Sequence, residues 1–370
     1  MISTYQLIFI VKRTILLLIV FICFLFLFAS IFLDVRRVDI TKVEKSMARL
    51  IVVTDVEVTP PPPPWPVEEI PEISGFKNLQ PKKGPYISSN FSLSPGLGNQ
   101  MFQFAALYGL ALRTNSTILM PNSTLIRRAF RFSRVKYVNP LFQELINRES
   151  PTFFASYCCT YYDAIFSYLQ NVTWLNHHRI LGYLQSWRYF NEHKSALFAE
   201  FSFRQPIKEL AERGLAQALG SRNISQNDIT VIGMHVRRGM DVTLNLRNQE
   251  HGHVAAPMQY FLNAMKYYRD KFGKVVFVAV SDDVFWVKRT FSDYNDIVFF
   301  YSGFREVDLC ALTLTNHTIM SSGTFSWWAA YLTGGEVVYY KNWPRRGSKL
   351  DIMVNKMDYF MPSWVALDGV

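Results

Sequence analysis

A chain of 370 residues that is 49% hydrophobic and 18% charged can bury the cores of two ordinary α/β domains, which rules out intrinsic disorder. The formal charge of +10 points to an anionic partner. A nucleic acid is a poor choice for that partner, because the chain opens on an apolar run of membrane-spanning length.

Residues 1–13 form a short tail carrying Lys12 and Arg13. Thr14 to Leu33 then runs without a charged residue, about the ~20-residue length that a helix needs to cross hydrocarbon. This reads as a single transmembrane signal-anchor over 14–33. Its rival is a cleavable signal peptide, whose apolar region is usually shorter, about 7 to 15 residues. Arg36, Arg37, Lys42, Lys45 and Arg49 follow the span, and a count of basic residues alone would leave the C-terminal side in the cytosol. Large domains translocate largely regardless of such charge. Six Asn-x-Ser/Thr sequons also follow, at Asn90, Asn115, Asn122, Asn171, Asn223 and Asn316, so the expected orientation places the C-terminal side in a secretory lumen.

Residues 34–85 show little periodicity and include Pro60 to Pro64 followed by Trp65-Pro66, whose backbone favours extended polyproline II. They read as a Pro-rich stem, with the folded part starting near Tyr86. Ser94-Pro95-Gly96-Leu97-Gly98-Asn99-Gln100 then leads into the apolar run Ala105 to Leu112 and reads as a strand-to-helix turn. Gly96 and Gly98 would permit close backbone approach to a ligand, although a glycine turn before a helix is equally a structural device. Beyond Cys23 in the anchor, only Cys158, Cys159 and Cys310 remain, enough for at most one internal disulfide. The chain has no Asp-x-Asp and no His-Glu-x-x-His, so no metal is indicated.

From residue 230 onward, strand and helix alternate. Thr230 to Val236, Lys274 to Val280 and Ile297 to Tyr301 are short β-branched or aromatic runs bounded by turn or charged residues, and predict buried strands. Pro257 to Tyr268 places Met258, Phe261, Leu262 and Met265 at helical spacing, with Gly273 as terminator. Further helices are predicted over Val284 to Phe291, Glu306 to Thr315 and Phe325 to Leu332, with strands at His317 to Met320 and Glu336 to Tyr340. Parallel neighbours need a helical crossover, so this alternation predicts a doubly wound, Rossmann-like domain.

Three polar motifs each follow one of these strands: His235-Val236-Arg237-Arg238-Gly239, Ser281-Asp282-Asp283, and Ser322-Gly323-Thr324-Phe325-Ser326-Trp327-Trp328. In an open parallel sheet the carboxyl ends of the strands form the ligand crevice, so the three should converge. Two guanidinium groups there can make bidentate bonds to phosphate oxygens, which suits a diphosphate. Gly323 to Ser326 open a helix whose free amides and hydroxyls can hold an anion. Phe325, Trp327 and Trp328 serve mainly as core, with one face available to line a pocket.

Taken together, Gly96 to Gln103, His235 to Gly239, and Asn316 to Met320 through Gly323-Thr324-Phe325 to Ala329-Ala330-Tyr331-Leu332-Thr333-Gly334-Gly335 closely resemble the α1,2-fucosyltransferases. The resemblance runs from about Phe91 to the C-terminal region and is thin between about Arg127 and Gln226. It implies a type II, single-pass Golgi enzyme that uses GDP-fucose and inverts the fucose anomeric carbon, generally without a metal. Its α/β, GT-B-like fold would have two Rossmann-like domains, 86–229 on the side of a galactose-containing glycan acceptor and 230–370 binding the donor. On this match Arg237 and Arg238 bind the diphosphate, Arg238 would stabilise the departing charge, and His235 fixes the loop or touches the donor. Gly323, Thr324, Phe325 and Ser326 hold phosphate, and Gly98, Asn99 and Gln100 face the donor or acceptor from the opposing domain. Ser281 ends the adjoining strand, while Asp282 or Asp283 faces the nucleotide or caps the next helix.

The family pattern has His-x-Arg-Arg-x-Asp, whereas here Asp241 stands one place later, after Gly239-Met240. Pro95 also occupies a position where Gly or Arg is common. Asp241, His235, His251 and His253 all remain open as the group that removes the acceptor proton. Alternatives to α1,2 transfer are a binding-only pseudoenzyme, for which the displaced Asp241 is the argument, and an α1,6- or protein O-fucosyltransferase. The acceptor glycan and oligomeric state stay open.

Overall fold

The computed structural model describes residues 63–79, 85–91, 96–171, 177–221 and 229–370. The predicted tail, anchor and first part of the stem, as well as Pro95 and Asn223, lie outside the described residues. Among the described residues no helix is long and apolar enough to cross a membrane.

Two fully parallel sheets carry the architecture. The first comprises β1 (Tyr86–Ser89), β2 (Thr117–Pro121), β3 (Val135–Val138), β4 (Thr152–Phe154) and β5 (His177–Leu181), in the order β3-β2-β1-β5-β4. The second comprises β6 (Thr230–Val236), β7 (Val275–Ser281), β8 (Ile297–Phe299), β9 (His317–Met320), β10 (Val337–Tyr340) and β11 (Val365–Leu367), in the order β11-β10-β9-β6-β7-β8. β6 and β7 are buried almost throughout, as strands covered on both faces must be, which explains their continuous apolar reading. This is the two-sheet α/β organisation expected of a GT-B-like chain.

Helices cross between the strands: α1 (Leu97–Thr114), α2 (Pro140–Glu149), α3 (Ala164–Asn171), α4 (Gln205–Gly220), α5 (Met258–Phe272), α6 (Val284–Phe291), α7 (Arg305–Thr313) and α8 (Gly323–Thr333). Asn139 caps α2 by accepting from the Phe142 amide, with Pro140 at the first position where its missing N–H is harmless. Gly273 ends α5 at φ 70, as the sequence suggested, and Gly334 ends α8 in the left-handed conformation.

The halves are joined by one aromatic core. Phe102 of α1 packs against Trp327 and Trp328 of α8 at centroid separations of 4.5 and 5.0 Å, and Phe190 and Phe201 close on Trp328. Trp328 Nε1 donates to the Gly98 carbonyl at 3.0 Å. A Cβ on Gly98 would stand 2.6 Å from the carbonyl carbon of Thr324, so only glycine lets these backbones meet. Gly98 thus permits close backbone approach between the two halves. The C-terminal segment then returns to the first half, where Arg188 pairs with Asp358 at 3.0 Å and the Cys159 amide donates to Met353.

The fold also begins before Tyr86. Trp65 is buried, meets Phe304 edge-on at 5.5 Å and donates from Nε1 to the Arg128 carbonyl. Ile73 bridges Val138 in parallel and so extends the sheet past β3, while Phe76 stacks on His177 at 4.0 Å. Residues 63–79 read as spacer because their composition is polar and Pro-rich, yet three apolar side chains seat them on the body. Cys158, Cys159 and Cys310 are buried and unpaired.

Candidate active site

The second sheet changes direction between β6 and β9, since β7 and β8 follow on one side of β6 while β9 and β10 lie on the other. That switch point is where an open α/β sheet offers its ligand crevice. Arg237-Arg238 leaves β6 there, Ser321 to Gly323 leaves β9, and Asp282 leaves β7 alongside, so the three polar motifs do converge. Backbone hydrogen bonds fix them together. The Arg237 amide donates to Ser321 Oγ at 3.0 Å, the Arg238 amide donates to Asp282 Oδ1 at 2.7 Å, and Ser281 Oγ donates to the Val236 carbonyl at 2.7 Å.

The two guanidinium groups differ. Arg237 lies against Gly323, whose φ of 82 and missing side chain leave the room, and it forms an ion pair with Asp241. The extra residue between the arginines and this acid is absorbed by a helical turn at Met240–Thr243, which returns the carboxylate to Arg237. Arg238 instead lies over the Trp286 ring, 4.1 Å from its centroid, and among the described residues it makes no ion pair. It therefore brings an uncompensated, planar cation to the crevice.

The amino end of α8 faces the same place. Ser322 supplies no side-chain cap, which leaves first-turn amides of an eleven-residue helix for an anion. The hydroxyls expected to hold phosphate have other partners. Thr324 Oγ1 donates to Asn99 Oδ1 at 2.8 Å, and Ser326 Oγ sits 2.6 Å from His235 Nδ1 and 3.3 Å from Ser321 Oγ. The first-turn backbone amides of α8 have no such side-chain partner as a cap. Trp327 and Trp328 are fully buried, while Phe325 is half-buried against His235 at 4.9 Å.

Asp283 caps α6 by accepting from the Trp286 amide at 3.0 Å, and Asp282 braces the Arg238 amide, so both act on the loop's shape. Burial raises the Asp282 carboxyl above its ordinary value. Gln100 does not face the crevice: its amide nitrogen donates to the Phe91 carbonyl and its oxygen accepts from the Ile126 amide, both inside the first half. Asn99 does reach the second half. Its Oδ1 also accepts from Gln185 Nε2 at 3.0 Å, and Gln185 Oε1 in turn accepts from the Cys159 thiol. Gln185, Trp286 and Ser321 were not singled out in the sequence; only their tertiary partners reveal them.

His235 is buried, and burial with the nearby Arg237 charge pushes its imidazole down to about 3. His253 is pushed down to about 4 by burial, Arg237 and His251. Both stay neutral in the folded chain, whereas an unfolded imidazole takes up a proton near pH 6.5. Their contribution to stability is therefore complete above about pH 6.5 and is lost as pH falls, by about 1.4 kcal/mol per pH unit for His235 until its folded value is reached. Urea unfolding between pH 7 and 5 should show a shallower pH slope for His235→Gln than for the parent. Asp308, raised to about 6 by burial, and Asp282 act with opposite sign, so the difference between the two slopes isolates His235. Equal slopes would mean that His235 titrates normally.

Comparison with known proteins now decides the family. The model of glycosyl transferase family 11 matches residues 82–368. The chain belongs to that family. It is 29% identical over 295 residues to a galactoside 2-alpha-L-fucosyltransferase of Bos taurus, covering 73% of this chain and 71% of the relative. A galactoside alpha-(1,2)-fucosyltransferase 2 of Bos taurus is 26% identical over 331 residues, which is 82% of this chain and 87% of the relative. Among solved structures, fucosyltransferase NodZ from Bradyrhizobium gives a TM-score of 0.43 at 14% identity, over 67% of this chain and 92% of that one. As a family 11 glycosyl transferase the protein is an enzyme, and among its described residues no group of three or more His, Cys, Asp or Glu side chains gathers to hold a metal ion.

Proposed function

We propose that this family 11 enzyme transfers L-fucose from GDP-fucose to the 2-hydroxyl of a terminal galactose, forming an α1,2 linkage with inversion. The observation that carries the reading is the convergence of the uncompensated Arg238, the Asp241-paired Arg237 and the α8 amides at the switch point of the second sheet. The names of its relatives support the fucosyl group, the linkage and the galactoside acceptor.

In the reaction, the acceptor oxygen attacks the anomeric carbon as the bond from that carbon to the β-phosphate oxygen breaks. GDP leaves with the bonding pair, and the acceptor hydroxyl loses its proton. Charge grows on the leaving diphosphate, where preorganised cations and amides act most strongly because they need no reorganisation. Arg238 supplies the fork and the α8 amides supply fixed dipoles. Arg237, held by Asp241, closes the other side. His235 is a positioning residue, since its Nδ1 is committed to Ser326 and its ring to Phe325. The proton goes to one of the four groups open as proton acceptor; His253, pushed down to about 4 with its Nδ1 buried, is a weak base for that task. Asp241 is occupied with Arg237.

The anchor over 14–33 and a luminal, type II placement in the Golgi belong to this reading and rest on the apolar run and the sequons. The test incubates the full chain with radiolabelled GDP-fucose and galactose-terminated acceptors, with and without EDTA, and determines the product linkage. An α1,2-fucosylated product in both conditions is expected. GDP binding without product across the acceptors would instead favour a binding-only protein, and a different linkage would overturn the α1,2 assignment.

A further inference from the structure

The first half holds a cavity of about 410 Å³ at the carboxyl ends of β1, β2 and β3, apart from the arginine crevice. Its size falls in the range of small-molecule sites, about 300–1,000 Å³. Its wall is made largely of carboxamides, with Asn90, Asn122, Gln143 and Asn147, the carboxylate of Glu72 and an apolar face at Phe91. Among the described residues no lysine or arginine lines it. A wall whose charged group among the described lining residues is a carboxylate disfavours phosphate and accepts hydrogen bonds from hydroxyls, so its chemistry suits a neutral polyol.

The wall is built rather than incidental. Glu72, from the segment seated before β1, accepts from Asn122 Nδ2, and Asn122 Oδ1 accepts from Arg127. Gln143 Nε2 donates to Asn147 Oδ1 at 3.0 Å, which fixes the Gln143 side chain on α2. Its Oε1 is buried and has no hydrogen-bond partner. The cavity is also tied rigidly to the donor side, because Gln100 and Gln103 of α1 clamp the Phe91 and Asn90 carbonyls while Asn99, on the same helix, contacts Thr324.

We propose that this cavity is a subsite for the acceptor glycan, binding a neutral sugar unit through Gln143, Asn147 and Glu72 and so contributing to acceptor choice. The proposal rests on the fucosyl-transfer reading. It also bears on two sequons, since Asn90 and Asn122 both line the cavity. Asn122 Nδ2, the atom that would carry a glycan, is bonded to Glu72, and Asn122 is expected to be unmodified.

The test uses the full chain, its Gln143→Ala/Asn147→Ala double variant and Glu72→Gln, each checked for an unchanged circular dichroism spectrum and melting temperature. With lactose as acceptor, both variants should raise the acceptor KM, the double variant by about tenfold, while kcat and the KM for GDP-fucose stay unchanged. Lactose and GDP binding are measured separately, without turnover. Loss of lactose binding in the variants with GDP affinity retained supports the subsite even if the parent forms no fucosylated product, in which case it is the transfer reading that fails. Transfer and lactose binding equal to the parent in both variants would overturn the subsite. So would peptide mapping that finds Asn122 glycosylated, because the chain's own glycan would then fill the cavity.

Discussion

Replacing Arg238 by alanine should lower kcat for fucosyl transfer by at least about 10²–10³-fold, the loss typical of removing one preorganised donor from a developing anion. Arg237 already has a counterion in Asp241, whereas Arg238 lies on Trp286 without an ion pair among the described residues, so its charge is the one left to an anion. The loop itself should survive, because Asp282 holds the residue through its backbone amide, which alanine keeps. The loss in stability should then be limited to the cation–π contact, about 0.5–1 kcal/mol. Arg238→Lys should recover only part of the rate, since an ammonium cannot grip two oxygens in a plane. Single-turnover kinetics on folded protein would decide; a rate within tenfold of the parent in Arg238→Ala would remove the arginine from the mechanism.

A soluble fragment starting at Tyr86 is expected to be far less stable than one starting at Pro60. The boundary at Tyr86 follows from reading everything before it as stem, yet cutting there removes Trp65 from its buried seat beside Phe304 and Ile73 from the open edge of β3. Truncating a buried tryptophan alone costs about 3–5 kcal/mol, a large share of the about 5–15 kcal/mol that holds a typical protein folded. Thermal melts of the two fragments would show the difference, and equal melting temperatures would mean that residues 63–79 only rest on the surface. Trp65→Ala in the longer fragment should reproduce much of the loss.

The second half was readable because its strands announce themselves. Val275 to Val280 is covered on both faces and so is apolar at every position, and Val284–Phe291 is framed by Asp283, a capping residue whose role local sequence can suggest. The first half hides its inner strand β5, which lies between β1 and β4 and reads His-His-Arg-Ile-Leu. Those polar side chains are tolerated only because Ser150 meets His177 at 2.8 Å and Arg179 Nη1 reaches the Asn147 carbonyl at 2.6 Å, contacts that no periodicity encodes. The site divides in the same way. The arginines, Asp282 and the α8 turn were legible as strand-end motifs. Gln185 was not, because its bond to Asn99 spans 86 positions. The partners of Thr324 and Ser326, Asn99 and His235, were not legible either, because hydroxyl chemistry alone does not say which neighbour it serves.

The aromatic layer between the halves sets how such enzymes can be recombined. A chimera that joins the first half of one family member to the second half of another, with a junction near residue 229, would set Phe102, Phe190 and Phe201 against a tryptophan pair they were not shaped for. It would also ask position 98 for a glycine from one parent to fit a turn from the other. Whole-half exchange therefore disturbs the protein's interior, while transplanting single side chains on the outer face of α2 leaves that interior intact. Natural divergence in acceptor preference is under the same pressure, and it should accumulate at the rim of the first sheet rather than across the seam.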